Sequence, residues 1–539
     1  MTVEPIRSTL ATVSTDDTSL VLPTDKMQRT GQQRVLEQVK SIKRNKSKMV
    51  KKDSIPSPTS PASMTEYSEP KFQFSPTNMN GTLFKSNGSS MTASHKRMVK
   101  SHTLCGSLPN ITLQEAVEFL SNSDISYQLC GASFIQHQTF TEESTKQEVW
   151  RLGGIPALIQ LLKSDNSQLH QTAAAALRNL AFKDHSNKLE VDHCEGIEAI
   201  LTLLRNSNDT ETHKQLTGLL WNLSSADKLK PELIRNALPL LTETIVVPYS
   251  IWTDSNTNKL IDPEVFYNTT GCVRNLSCAS EDERITMRSC PQLIDSLVTY
   301  IQTQMDRGEP DDKQSVENCV CILHNLSYQL ETEAPEQFKQ ISVLDTRPKE
   351  NNNKSLFSPK SSKTQKVRTD FKFPAMEKEK PEGVNWLYNQ KTLQLYRSLL
   401  GSSQKEATLE ACCGALQNLT ASKSSLSTLM SQSFIEKLNG LPVISPLLIS
   451  GNSSLQKTAM SLVGNMSRVS SLRGAMAKDV FPMVSPVLSN VTSNMIKSDS
   501  TIATACRVMQ TLMLAEPETS KKMISPKLVE SLTALSSNM

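Results

Sequence analysis

The chain has 539 residues and a formal charge of +4, from 58 Lys and Arg against 54 Asp and Glu, so net charge selects neither a polyanion binder nor an acidic solvating protein. Its 14 Phe, 8 Tyr and 18 Gly argue against a β-rich body. It holds no run of 18 apolar residues, and its first residues, MTVEPIRSTLATVSTDD, lack the apolar centre of a secretory signal, so no spanning helix and synthesis in the cytosol are expected.

Residues 1–110 are rich in Ser, Thr, Pro and Lys and carry no sustained apolar period, as in SIPSPTSPAS, so this head is expected to be disordered when alone. Between Lys26 and Lys52 it gathers ten basic residues against the single acid Glu37. Val35, Leu36, Val39 and Ile42 fall at helical spacing within that basic stretch. It reads either as a solvated basic tail or as a segment that folds on an acidic partner or membrane surface. In the second case Arg34, Val35, Val39, Ile42, Lys43 and Arg44 make the contact. Ser47, between Lys46 and Lys48, is a candidate phosphorylation site whose phosphate would subtract charge.

From residue 111 the chain repeats. Arg178-Asn179-Leu180 returns as Trp221-Asn222-Leu223, Arg274-Asn275-Leu276, His324-Asn325-Leu326, Gln417-Asn418-Leu419 and Gly464-Asn465-Met466. The Asn-to-Asn steps are 43, 53, 50, 93 and 47 residues, and His137 holds the same slot one step earlier. A period of about 40–47 residues, with helices closed by this string, marks the armadillo/HEAT class of solenoid. The expected fold is an all-α, right-handed armadillo superhelix of about eight to nine repeats. Repeats one to five span 111–330, a disordered insertion fills 331–383, and 384–539 holds repeats six to eight with an incomplete ninth. A second, smaller loop is expected at about Val247–Asp262. Gly153-Gly154 and Gly196 open the second helices of units two and three; Ala237-Leu238-Pro239 and Val480-Phe481-Pro482 mark the same place in units four and eight without glycine.

Counting from each Asn, the residue four earlier is small (Ala175, Gly218, Gly271, Cys321, Gly414, Ser461), which suits close helix packing. The residue seven earlier is mostly polar, as at Gln215, Asn268 and Asn318, and shares a helix face with the Asn. A face polar in unit after unit is expected to line the inner groove, where amides can pair with the main chain of an extended peptide. The candidate groove set is Arg178, Asn179, Gln215, Trp221, Asn222, Asn268, Arg274, Asn275, Asn318, His324, Asn325 and Asn418. The cationic, aromatic and amide types beside the Asn suit an acidic, partly apolar peptide.

Catalysis finds little support, since no phosphate-cradling glycine loop, metalloprotease His-Glu pair or nucleophile elbow occurs. Cys319, Cys321 and His324 are of ligand type, but residues two apart on a helix diverge, so no metal or other cofactor is expected. The cysteines read as small buried hydrophobes.

Several strings resemble the plakophilin branch of the p120-catenin armadillo family. They are QEVWRLGGI (147–155), KQLTGLLWNLSS (214–225), DPEVF (262–266), SVENC (315–319) with HNLSY (324–328), and ATLEACCGALQNLTAS (407–422). In the head, Thr30-Gly31, Arg34-Val35 and KRNKSK (43–48) are similar to the type 1 members. The resemblance implies a non-enzymatic adaptor of the desmosomal plaque at cell junctions, also found in cytoplasm and nucleus. Its implied partners are desmoplakin, the desmosomal cadherins (desmogleins and desmocollins) and keratins, met largely through the basic head. The competing reading is a nuclear-transport or signalling adaptor of the importin-alpha or beta-catenin kind. Importin-alpha proteins carry Trp four residues before the Asn, where this chain has small residues. Single-stranded nucleic acid is a weaker candidate, because Lys40–Lys52 holds no interleaved aromatics.

Overall fold

The computed structural model describes residues 111–251, 261–310, 315–339, 373–489 and 499–537. The head candidates Arg34, Val35, Val39, Ile42, Lys43, Arg44 and Ser47 lie outside the described residues. Among the described residues all regular elements are helices, as the period requires, and they stack as armadillo units. Residues up to Leu229 form one compact body and those from Lys230 another.

In the first body, unit one contributes Leu113–Phe119 and Ile125–Thr141. Unit two is Thr145–Arg151, Gly154–Leu162 and Ser167–Ala181, and unit three is His185–His193, Gly196–Asn206 and Thr210–Ser224. The third helix of each unit starts at a fixed place. Asp124, Asn166 and Asp209 accept from the amides of Ser126, Gln168 and Thr212, which would otherwise be orphans of the first turn. Each cap lies thirteen residues before the Asn slot, and Asp262 and Asn452 repeat the device in the second body. Between first and second helices the chain must pass through left-handed backbone, supplied by Gly153 (φ 74°), Glu195 (φ 57°) and Gln292 (φ 62°).

Units four and eight differ from the expectation of a turn at their Pro. Lys230–Leu241 runs through a π-helical turn at Thr242–Val246 into Val247–Ser250, and Arg473–Ser489 carries Pro482 and Pro486 inside one helix. No residue near these prolines takes a positive φ, so the chain has no means to break, and the first and second helices merge. Tyr249 at the end of this helix stacks on Phe266 with ring centroids 4.0 Å apart.

The insertion is also narrower than expected. Leu330–Glu333, Pro335–Phe338, Pro374–Glu377 and Gly383–Tyr388 are helical turns, which corrects the boundaries 331–383 at both ends. Phe338 and Phe373 both pack on Tyr388, at centroid distances of 5.0 and 5.9 Å, and so bring the two ends together. The returning helical turn is pinned to the second helix of unit five: Asp295 accepts from the Gly383 amide at 3.0 Å and from Trp386 Nε1 at 3.1 Å.

Buried cations close the C-termini of third helices. Lys146 donates to the Phe182 carbonyl at 2.7 Å, and Lys188, 42 residues on, donates to Ser225 Oγ at 2.7 Å. Both ammonium groups sit where the last carbonyls of a helix concentrate negative potential. In the second body Arg284 and Arg288 replace lysine. Both pair with the buried Glu333, at 2.5 and 2.6 Å, and Arg288 also donates to the Leu326 and Tyr328 carbonyls. One carboxylate faces two guanidinium groups, and the Ala279, Leu326 and Tyr328 carbonyls take donors it leaves, so each group is hydrogen-bonded, the condition under which a buried ion group is tolerated.

Two predictions follow the charges. Burial pulls the Lys188 ammonium down to about 8 from 10.5, against the attraction of Asp184 and with help from Lys146. Between those values the unfolded chain binds more protons, so this group makes stability rise with pH from about 8 to 10.5. Lys188→Met is expected to remove about 3 kcal/mol of that rise, leaving the smaller rise from Lys146, whose pKa burial also lowers. Urea midpoints of the first body on either side of this pH window check it, and an unchanged slope refutes the placement. Glu333→Gln should destabilise the first-helix region of unit five by about 3–5 kcal/mol, because two guanidinium groups lose their anion. Hydrogen exchange of the 281–288 amides measures the loss.

Candidate functional site

The repeating Asn acts first between units. In the first body Asn179 Nδ2 donates to the Gln136 carbonyl at 2.9 Å, and Asn222 Nδ2 to the Arg178 carbonyl at 2.9 Å. In the second, Asn418 Nδ2 donates to the His324 carbonyl at 3.1 Å and Asn465 Nδ2 to the Gln417 carbonyl at 3.2 Å. Each acceptor is the residue just before the slot in the preceding unit, a carbonyl near the end of a third helix. Asn325 instead reaches Ser277 Oγ at 2.9 Å. The amide donors assigned to a bound peptide are therefore engaged with the neighbouring repeat.

The residue before each Asn is held the same way. Arg178 lies across Gly218 so closely that a Cβ there would stand 2.5 Å from its Nε, and the His324 ring lies equally close over Gly414. The small residue four before the Asn thus makes room for a side chain of the preceding unit rather than for backbone. Arg178 Nη1 donates to Gln215 Oε1 at 3.3 Å, and Gln215 Nε2 donates to Glu211 Oε1 at 2.7 Å. Arg274 Nη1 pairs with Glu317 at 2.9 Å and donates to Asn318 Oδ1 at 3.0 Å.

The twelve groove candidates therefore divide. Arg178, Asn179, Gln215, Trp221 and Asn222 in the first body, and Arg274, Asn275 and Asn418 in the second, are half-buried and keep an outer edge. Asn268, Asn318, His324 and Asn325 are buried, which corrects their expected presentation to a ligand. His324 goes under because Gly414 leaves a hollow above it, and Asn318 because it bonds Arg274 on one side and Thr270 Oγ1 on the other.

The face also carries acids that the Asn count passed over. Glu317 and Glu410 both lie eight residues before an Asn, one place from the polar row. Burial pushes the Glu410 carboxyl up, opposed by the Ser454 hydroxyl 2.5 Å away and by the charge of Arg274. The row is thus a mixed charge lattice in its inner half. The repeat-core cysteines Cys321, Cys412 and Cys413 are buried, and desolvation drives each thiol far above its ordinary value, so they act as packing groups. Among the described residues no group of three His, Cys, Asp or Glu side chains could hold a metal ion, and no helix is long and apolar enough to cross a membrane.

Removing one clamp tests its weight. Asn222→Ala leaves the Arg178 carbonyl without its partner and should cost about 1–2 kcal/mol, and Asn418→Ala, which loses two acceptors, should cost at least as much. Denaturant midpoints measure both, and a cost near zero would mean that water replaces the amide.

With this geometry in view, the comparisons with known proteins are direct. The Armadillo/beta-catenin-like repeat family matches residues 143–182 and 184–225, the second and third units. Plakophilin-2 of Mus musculus is 45% identical over 412 residues, 75% of this chain and 51% of that protein. Plakophilin-2 of Danio rerio is 39% identical over 439 residues, 79% of this chain and 53% of its own. Catenin delta-2 of Homo sapiens is 33% identical over 445 residues, 79% of this chain and 36% of its own. The chain spans about half the length of these plakophilin-2 relatives. The likeness to type 1 members rests on head strings alone. The all-helical repeats, their Asn clamps and these identities place the chain in the plakophilin family of armadillo-repeat proteins.

Proposed function

We propose that this chain is a non-enzymatic adaptor of the desmosomal plaque in cell-cell adhesion. In this reading it joins desmosomal cadherin tails to desmoplakin and so to keratin filaments, with residence at the junction, in the cytoplasm and in the nucleus. The observation that carries the reading is the stack of clamped third helices in a plakophilin relative, which offers a half-buried polar row.

Two surfaces divide the work. The basic head segment, with Arg34, Val35, Val39, Ile42, Lys43 and Arg44, binds the plaque partners, and a phosphate on Ser47 weakens that contact by removing positive charge. The outer edges of Arg178, Asn179, Gln215, Trp221 and Asn222 hold an acidic peptide in the first body, with Arg274, Asn275 and Asn418 serving in the second. The inner polar atoms of these residues are already committed, so a peptide meets ring faces and guanidinium edges more than amide donors.

One pull-down separates the surfaces. Deleting residues 1–110 should abolish capture of desmoplakin and of cadherin tails, and undiminished capture would end the head assignment. Arg178→Glu in the full chain should weaken an acidic peptide about tenfold at low salt and less at high salt. Equal affinity at both ionic strengths would remove the groove.

A further inference from the structure

The corner between the first and second helices of unit seven joins the π-helical turn Ser433–Lys437 to the helix Leu441–Ile444. Two structural demands meet there. The chain turns through left-handed backbone at Asn439 (φ 50°), a conformation that Asn tolerates better than most residues with a side chain. The next residue sits so close to Phe434 that a Cβ on Gly440 would collide with its ring, so only glycine fits. Together these demands place Asn before Gly, and among the described residues no other Asn has Gly after it.

That pair is chemically labile, because glycine has no side chain to hinder its amide nitrogen from attacking Cγ of the Asn before it. The Gly440 nitrogen gives up its proton, an N–C bond forms, and ammonia leaves Asn439 Cγ, closing a cyclic imide. Water then opens the imide at Cγ to give aspartate, or at the Asn439 main-chain carbonyl carbon to give isoaspartate, with an extra methylene in the main chain. Water enters and ammonia leaves, with nothing oxidised or reduced, and hydroxide assists by taking the amide proton.

The fold holds this reaction back at one bond. Gly440 N–H donates to the Phe434 carbonyl at 2.9 Å, so its proton is committed and its nitrogen held in place. Asn439 itself is exposed, and among the described residues its side chain has no hydrogen-bond partner. The same corner is tied to its neighbours. Arg397 Nε, on the second helix of unit six (Gln390–Ser402), donates to the Leu438 carbonyl at 3.1 Å, and Lys437 pairs with Glu377 at 2.6 Å.

We propose that Asn439-Gly440 is a self-modification site, latent while the Gly440–Phe434 bond is closed, and that its conversion loosens this corner from unit six. Isoaspartate lengthens the main chain between Leu438 and Gly440, the two residues whose bonds hold the corner. Either product adds a carboxylate two residues from Lys437, where it competes with Glu377. The site acts on the stack itself and needs no plaque partner.

The test incubates the full chain in mildly alkaline buffer, native and in guanidinium chloride, and sequences the tryptic peptide 438–457 by mass spectrometry. Conversion at Asn439 should run at least about tenfold slower in the native chain, because attack awaits local opening. Asn452-Ser453, in the same peptide, is the internal reference. Arg397→Met, which removes the contact to Leu438, should speed native conversion at least about threefold, with circular dichroism checking that the helices remain. Equal native and unfolded rates overturn the latency, no conversion in denaturant overturns the site, and a rate indifferent to Arg397→Met overturns the coupling. Independently of that variant, Asn439→Asp should raise hydrogen exchange at the Leu438 and Gly440 amides at least about threefold, and unchanged protection there refutes the loosening.

Discussion

A single polar contact sets the terms for this molecule: a side-chain amide of one repeat bonded to a carbonyl at the end of the third helix before it. Helix ends leave carbonyls without partners, and a stack of short helices multiplies that problem at every turn. Here Asn179, Asn222, Asn418 and Asn465 answer it across the unit boundary rather than within the unit. The bond fixes the height and the rotation of one third helix against the next. Once that is set, the side chain preceding each Asn has one place to lie, over the small residue of the following unit, as with Arg178 on Gly218 and His324 on Gly414. Stacking and the shape of the polar row are thus one constraint.

The cations at the C-termini of third helices serve the same purpose by other means. Lys146, Lys188 and Arg288 carry full charges into buried positions, and each spends them on helix-end acceptors or on Glu333. A charged donor strengthens each such bond and makes it costly to lose. The repeats therefore hold together through polar contacts at the ends of their third helices and apolar packing between helices, with Leu177, Leu180, Leu219 and Leu223 fully buried. This division suits an extended stack, where each unit presents only two faces to bury.

Much of the fold was legible in the residues. The Asn strings gave the period, and the Asp or Asn caps thirteen places earlier would have given the start of each third helix had they been counted. The partners of the asparagines were less legible, because a one-dimensional pattern tells which helix face a residue shares and not how far the next helix is turned. His324 shows the limit: its hollow is made by Gly414, on the far side of the insertion. Lys146 and Lys188 repeat at 42 residues, yet a lysine ordinarily signals solvent, so nothing in the spacing alone marks them as buried. The merged helices of units four and eight likewise turned on backbone angles that Pro239 and Pro482 do not by themselves determine.

The knot of rings formed by Phe338, Phe373 and Tyr388 has a consequence for how this protein can vary. Because the knot and the Asp295 anchor hold both ends of the long excursion, its span is decoupled from the repeats it interrupts. Substitution, splicing or grafting of a foreign sequence between the tethered ends thus leaves the mechanical continuity of the array nearly untouched, and the excursion is the place where relatives can diverge in length at least expense to stability.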